Sequence, residues 1–208
     1  MTRSLSNQAG PIVSAISPIY LGQDSLDELV CRLRTALDSI SPNFEIILID
    51  DASPDDSWSK IRQQCHLDDR VRGLRLSRNF GQHYAITAGL QHASGEWIVV
   101  LDCDLQDLPE EIPRLFYEAM KSDLDIVFAR RRDRQDSLFR RLTSKAFYRA
   151  FAFLTDTEQD SSIGNFGIYN KKVKDAVLSM GDAIRYLPTM TRWVGFEQGH
   201  LDVEHAPR

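Results

Sequence analysis

The sequence predicts an α/β protein with a mainly parallel open sheet flanked by helices, and three observations carry that expectation. Short apolar runs of strand length alternate with longer stretches whose apolar residues recur at helical spacing. The stretches between runs are long enough for crossovers, which makes the strands parallel and the connections right-handed. Polar and charged residues gather just after the apolar runs, where open parallel sheets bind ligands.

The elements follow in order. Ile12-Val13-Ser14-Ala15-Ile16 reads as the first strand, ending at Ser17-Pro18-Ile19-Tyr20. Ser25, with Glu28 three residues on, has the spacing of a capping box and starts a helix. Leu26, Leu29, Val30, Leu33, Leu37 and Ile40 share one face of it. Phe44 to Ile49 is the second strand, closed by Asp50 and Asp51, and Ser53-Pro54-Asp55-Asp56 starts the next helix with proline at its first position. Val71 to Leu76 is the third strand, followed by Ser77-Arg78-Asn79-Phe80-Gly81-Gln82. The helix after it carries the small residues Ala85, Ala88, Gly89 and Ala93, which permit close packing on a sheet. Glu96 to Leu101 is the fourth strand, and its helix shows Ile112, Leu115, Phe116 and Ala119. Leu124 to Ala129 is the fifth, with Arg130, Arg131 and Arg132 directly after it.

The 208 residues suit one domain, expected over 11–208 after a disordered polar tail at 1–10 that lacks a signal peptide's apolar run. No apolar stretch reaches about eighteen residues, so a membrane span is not expected in this sequence. The chain stops at His205-Ala206-Pro207-Arg208 without a closing element, as a piece truncated before membrane helices would. A net charge of −5 argues against general nucleic-acid binding. Cys31, Cys65 and Cys103 have no metal-ligand spacing and fit thiols in a reducing cytoplasmic setting. A homo-oligomer is left open.

The fourth strand runs into Asp102-Cys103-Asp104-Leu105-Gln106-Asp107. Strand alternation would put Asp102 and Asp104 on one face and Cys103 on the other, packed. Two carboxylates that close repel unless a cation lies between them, and oxygen ligands suit Mg²⁺ or Mn²⁺ shared with a substrate phosphate. The alternative is an acidic turn with Asp107 capping the next helix. Neither GxGxxG nor GxxxxGK[ST] is present, so a dinucleotide-binding or P-loop site loses support and a metal-held phosphate gains it.

Ser17-Pro18-Ile19-Tyr20, Ile49-Asp50-Asp51-Ala52-Ser53, Arg78-Asn79-Phe80-Gly81 and Asp102 to Asp107 come in the order and spacing of family 2 glycosyltransferases with the GT-A fold. The chain resembles most the polyprenyl-phosphate branch of that family, across residues 11–208. The resemblance implies a GT-A-type catalytic domain that moves a sugar from a nucleotide sugar to a polyprenyl phosphate, with inversion, at the cytoplasmic face of a membrane. It implies that Pro18, Tyr20 and Asp50 or Asp51 hold base and ribose, with Asn79 and Gln82 beside them, and that Asp102, Asp104 and Gln106 bind a divalent metal on the diphosphate. For Asp50 and Asp51 the alternative is compensation of helix N-terminal charge, and for Tyr20 a packed surface aromatic.

Residues 130–149 hold eight Arg or Lys against two Asp, so basic charge is segregated there. Leu138, Phe139, Leu142, Phe147, Phe151 and Leu154 give 138–154 a broad apolar face, with Arg140, Arg141, Lys145 and Arg149 on the rest. Read alone, this is a core helix with a solvated basic face; the resemblance makes it a membrane-surface helix. The acceptor-side segment of the family often reads Asp-Phe-Arg where this chain has Asn165-Phe166-Gly167. Asn165 is no general base, but a lipid phosphate is ionised at neutral pH and needs none. Arg130, Arg131, Arg132, Arg208 and His205 are candidates to position it. Transfer to a sugar hydroxyl would need a base, for which Asp160 is the nearest candidate, and a non-catalytic nucleotide-sugar-binding module is the remaining reading.

Overall fold

A computed structural model describes residues 10–131, 163–181 and 186–206. The expectations that fall on the tail 1–9, Arg132, the segment 138–154, Asp160 and Arg208, and on the side chain of Arg131, lie outside the described residues.

The chain begins with strand β1 (Val13–Ile19), helix α1 (Leu26–Asp38), strand β2 (Phe44–Asp50) and helix α2 (Ser57–Leu67). It continues with β3 (Val71–Arg75), α3 (Gln82–His92), β4 (Trp97–Val100), a 3-10 turn at Pro109–Glu111, α4 (Ile112–Lys121) and β5 (Ile126–Arg131). Then come β6 (Ile163–Asn170), α5 (Lys171–Ser179), α6 (Leu187–Trp193) and β7 (Gln198–Val203). These strands form one sheet in the order β3-β2-β1-β4-β6-β5-β7.

Pairing is parallel from β3 through β2 and β1 to β4, and again between β5 and β7. Only β6, among the described strands, runs against its neighbours. The expected mainly parallel α/β sheet is therefore present, with a reversed strand that periodicity did not predict. Both faces are covered, which is why the strands read as continuous apolar runs. Val13, Ala15, Ile46, Leu48, Trp97 and Val99 pack under α1 and α4. Ile16, Ile47, Ile49, Ile98, Val100 and Tyr169 pack under α3, α5 and α6.

Three local expectations are corrected. Ser25 makes no capping bond; its hydroxyl donates instead to the Cys103 carbonyl, 2.7 Å away, across 78 residues of sequence. Helix α2 begins at Ser57 rather than at Pro54. Asp55 accepts from the Gln23 and Ser57 N–H groups, and Gln23 accepts from the Asp56 N–H, so 53–56 is held as a turn against the loop after β1. Strand β5 extends through Arg130 and Arg131, because β7 pairs with it as far as Arg131 opposite Val203.

The order places the site. From β1 the chain moves outward to β2 and β3, then returns to the other side of β1 as β4. Such a switch point opens a crevice beyond the carboxyl ends of the two strands, here after Ile19 and Val100.

Candidate active site

A cavity of about 380 Å³ lies in that crevice, lined by Pro18, Ile19, Tyr20, Asp51, Asn79, Gly81, Gln82, Asp102, Cys103 and Asp104. Its volume falls within the range of small-molecule sites. Four loops build it, those that follow β1, β2, β3 and β4. The backbone there is held in uncommon conformations. Leu21, Ala52 and Leu105 have φ of 56°, 54° and 61°, and of the described non-glycine residues only Asp123 shares that region. Such conformations cost of order 1–3 kcal/mol each and persist where surrounding bonds fix them.

Those bonds are visible. The Leu21 and Gly22 N–H groups donate to the Ser53 and Ser57 hydroxyls, joining the first loop to the second. Asp50 is fully buried; it accepts from the Ser53 N–H and lies 3.1 Å from the Arg75 guanidinium, below the cavity and outside its lining. Asp51 faces the cavity, and its two oxygens accept the Phe80 and Gly81 N–H groups at 2.8 Å each. Arg78 stacks over the Phe80 ring at 4.4 Å. The side-chain amide of Gln82 donates to Asp102.

Asp102 and Asp104 do not leave β4 by strand alternation, because the strand ends at Val100. A turn presents them. The Asp104 carboxylate accepts the Gln106 N–H at 3.1 Å, and Leu105 takes the left-handed conformation that folds the turn back. The turn is anchored on both sides, by Ser25 to the Cys103 carbonyl and by the Ala206 N–H to the Gln106 carbonyl at 3.0 Å. Asp107 is buried, forms a β-bridge with His205 and has His205 Nε2 3.8 Å from its carboxylate. Gln106 is partly buried beside the cavity and is not in its lining. Cys103 packs against the core as expected, yet it also lines the cavity. Burial pushes its thiol above the ordinary range, and the carboxylates of Asp102 and Asp104 push the same way.

The antiparallel register of β6 sets Gly167 beside both Val100 and Phe128, so Asn165 runs past the end of β4 on the cavity's edge of the sheet. A Cβ at Gly167 would stand 3.0 Å from the Tyr169 hydroxyl and 3.1 Å from the Val127 carbonyl, so a side chain is hard to fit there. The Asn165 side-chain oxygen is buried and has no hydrogen-bond partner among the described residues. Arg130 lies opposite Asp202 of β7, and its guanidinium pairs with that carboxylate at 2.5 Å. It points to a partner that sequence alone could not show, since 72 residues separate the two. Ser25, Ala206 and Ile19 were also invisible as site residues: the Ser25 hydroxyl and the Ala206 N–H bond to backbone carbonyls far off in sequence, and Ile19 lines the cavity as an apolar strand residue.

A divalent cation fits this donor set. The groups that Asp102 and Asp104 bring to the cavity are hard oxygens, which suit a hard divalent cation. Among the described residues no three His, Cys, Asp or Glu side chains form a complete metal cage. Two carboxylates with substrate phosphate completing the shell is the usual arrangement for Mg²⁺. Also among the described residues, no helix is long and apolar enough to cross a membrane.

A sequence profile described as glycosyl transferase family 2 matches residues 14–180. Undecaprenyl-phosphate 4-deoxy-4-formamido-L-arabinose transferase of Aeromonas hydrophila subsp. hydrophila is 36% identical over 205 residues, which cover 98% of this chain and 63% of that protein. The enzyme of the same name from Salmonella choleraesuis is 37% identical over 207 residues, 96% of this chain and 62% of that one. The chain thus spans a little under two thirds of these relatives. Among solved structures, glucosyl-3-phosphoglycerate synthase from Mycobacterium tuberculosis, in complex with Mn²⁺, UDP and phosphoglyceric acid, shares the fold with a TM-score of 0.68 at 17% identity, over 96% of this chain and 72% of that one. The mannosyltransferase PcManGT from Pyrobaculum calidifontis, in complex with GDP-Man and Mn²⁺, gives 0.62 at 16%, over 95% and 57%.

Proposed function

Since the chain belongs to glycosyl transferase family 2, we propose that it moves a sugar from a nucleotide sugar to a polyprenyl phosphate at the cavity between β1 and β4. The observation that carries this reading is the meeting of Asp102 and Asp104 with the loops of Pro18, Tyr20, Asp51 and Asn79 in one crevice. The naming of the relatives at 36% and 37% identity as undecaprenyl-phosphate transferases supports the acceptor class.

Pro18, Tyr20, Asp51 and Asn79 take the nucleotide, with Gln82 beside them. Asp102 and Asp104, with Gln106 from the same turn, hold a divalent cation, for which the Mn²⁺ in two fold neighbours is supporting precedent. When bound, that ion stabilises charge on the departing diphosphate. The ionised lipid phosphate oxygen forms the new bond to the anomeric carbon as the bond to the nucleotide diphosphate breaks and its electrons leave with it. No protein base is needed, which agrees with Asn165 on the acceptor side. Arginines from the group Arg130, Arg131, Arg132 and Arg208 pair with the incoming phosphate, by the bidentate geometry guanidinium offers. Arg130 reaches it only by leaving Asp202.

A polyprenyl chain gains about 0.8 kcal/mol per CH₂ in a bilayer, so the reading puts the chemistry at a membrane surface, on its cytoplasmic face, with the basic segment 138–154 against the lipid.

The test is an acceptor comparison. The chain is incubated with Mn²⁺ and a panel of nucleotide sugars, with undecaprenyl phosphate in detergent or with free saccharides, and nucleoside diphosphate release is followed. Release stimulated by the lipid phosphate and giving a lipid-linked sugar is expected. Stimulation by saccharide hydroxyls alone, or nucleotide-sugar binding without turnover on any lipid phosphate, overturns the proposal.

A further inference from the structure

Asp51 lines the cavity, yet both of its oxygens are engaged by the protein. They accept the Phe80 and Gly81 N–H groups at 2.8 Å, and the residue is 3% exposed. Those two N–H groups belong to the turn that launches α3. Gly81 holds the turn at φ 96°, a conformation that L side chains rarely adopt. The next residue is Gln82, the first of α3, and its amide donates to Asp102. At the other end of the helix Gly89 seats α3 directly on Ile16 and Ile49 of the sheet. A continuous strut therefore runs from the carboxylate after β2, through the turn after β3, to the carboxylate after β4.

We propose that Gln82, fixed by Asp51 through this turn, is a positioning residue that orients the Asp102 carboxylate for a divalent cation. The proposal rests on the metal part of the function proposed above. An unheld carboxylate rotates, and ordering it costs affinity when a cation binds; an amide donor on one oxygen removes that freedom beforehand. The same N–H dipole offsets the repulsion between Asp102 and Asp104 when no cation is present. Hydrogen-bond partners of ligating groups are worth about 10–100-fold in metal affinity. Asp51 then acts on the metal without touching it, and a nucleotide that presses on the turn is coupled to the metal through the same bonds.

The experiment titrates Mn²⁺ into the chain without nucleotide and reads free Mn²⁺ by electron paramagnetic resonance. It compares wild type, Gln82→Met, Asp51→Asn and the double variant. Gln82 is exposed, so the methionine removes the donor at similar length without disturbing the core; circular dichroism checks the folding of Asp51→Asn, and Gln82→Met is decisive by itself. Expected is a loss of about 10–100-fold in Mn²⁺ affinity for Gln82→Met. The double variant is expected to be no weaker than the worse single one, because both act along one line. Wild-type Mn²⁺ affinity in Gln82→Met overturns the strut and leaves the metal reading standing. No Mn²⁺ binding by wild type overturns the metal reading, and the strut with it. A change in donor KM with unchanged Mn²⁺ affinity would make Gln82 a direct donor contact, which also overturns the proposal.

Discussion

Gly89→Ala tests how α3 is held against the sheet that positions the site. An added Cβ would stand 2.5 Å from Ile16 Cγ2 and 2.8 Å from Ile49 Cδ1, whereas carbon atoms prefer about 3.5–4.0 Å. Cγ2 of a β-branched residue cannot swing aside without leaving its χ1 well, so the helix must lift by roughly 1 Å to restore contact distance. Overpacking of this kind costs about 1–3 kcal/mol. Alanine is the better helix former by about 1 kcal/mol, which leaves a net loss of up to about 2 kcal/mol. For a domain of this size that lowers Tm by about 2–4 °C per kcal/mol. The assay is equilibrium urea unfolding, with Gly181→Ala, where nothing lies within 4 Å, as the control. Because α3 carries Gln82 at its other end, the same variant is expected to weaken Mn²⁺ binding. A gain of stability in Gly89→Ala, as propensity alone dictates, would refute the seating of α3 on β1 and β2.

Other expectations follow from the same contacts. Glu45 is buried, and burial alone would raise its pKa; hydrogen bonds from the Ser94 N–H and hydroxyl, Ser14 and Arg72 outweigh that and hold it below its ordinary 4.5. A depressed folded-state pKa gives stability that is present above 4.5 and lost as pH falls through the folded value. Glu45→Gln is therefore expected to unfold about 1–3 kcal/mol more easily at pH 7, with the gap to wild type closing towards pH 3 in urea melts. Asn165→Asp sets a carboxylate beside the incoming phosphate and is expected to raise the KM for polyprenyl phosphate about tenfold, equivalent to about 1.4 kcal/mol, while donor KM stays within about twofold. An unchanged acceptor KM would remove Asn165 from the acceptor side. Ser25→Ala frees the Cys103 carbonyl and is expected to cost about 1 kcal/mol of stability and to lower kcat, measured by urea melts and initial rates.

Most of the sheet was legible because both faces are buried: the runs from Phe44 to Ile49 and from Trp97 to Val100 are almost wholly apolar. The site edge was legible too, since polar residues after β1 to β4 had no periodic role, and the cavity collects Tyr20, Asp51, Asn79, Asp102 and Asp104. What escaped depends on contacts far apart in sequence. The reversal of β6 is set by pairing with β4 and β5, not by its own residues. Ser25 looked like a cap, but the Cys103 carbonyl offered its hydroxyl a partner. Arg130 looked free after a strand until β7 brought Asp202 alongside. Asp50 and Asp51 are adjacent, chemically alike and both buried; only the fold shows that Asp50, the last residue of β2, lies against Arg75 while Asp51, just beyond the strand, meets the turn at Gly81.

Sugar transfer to a lipid phosphate at the acidic turn, with a divalent cation, is the reading on which the rest depends. The most direct measurement is the initial rate of lipid-linked sugar formation by wild type and by Asp102→Asn/Asp104→Asn, each with Mn²⁺ and with excess chelator. Wild type is expected to work only with Mn²⁺, and the double variant to fall by at least about 100-fold, the scale of losing a charge-stabilising group in a transition state. Full activity of the double variant with chelator present would contradict that reading.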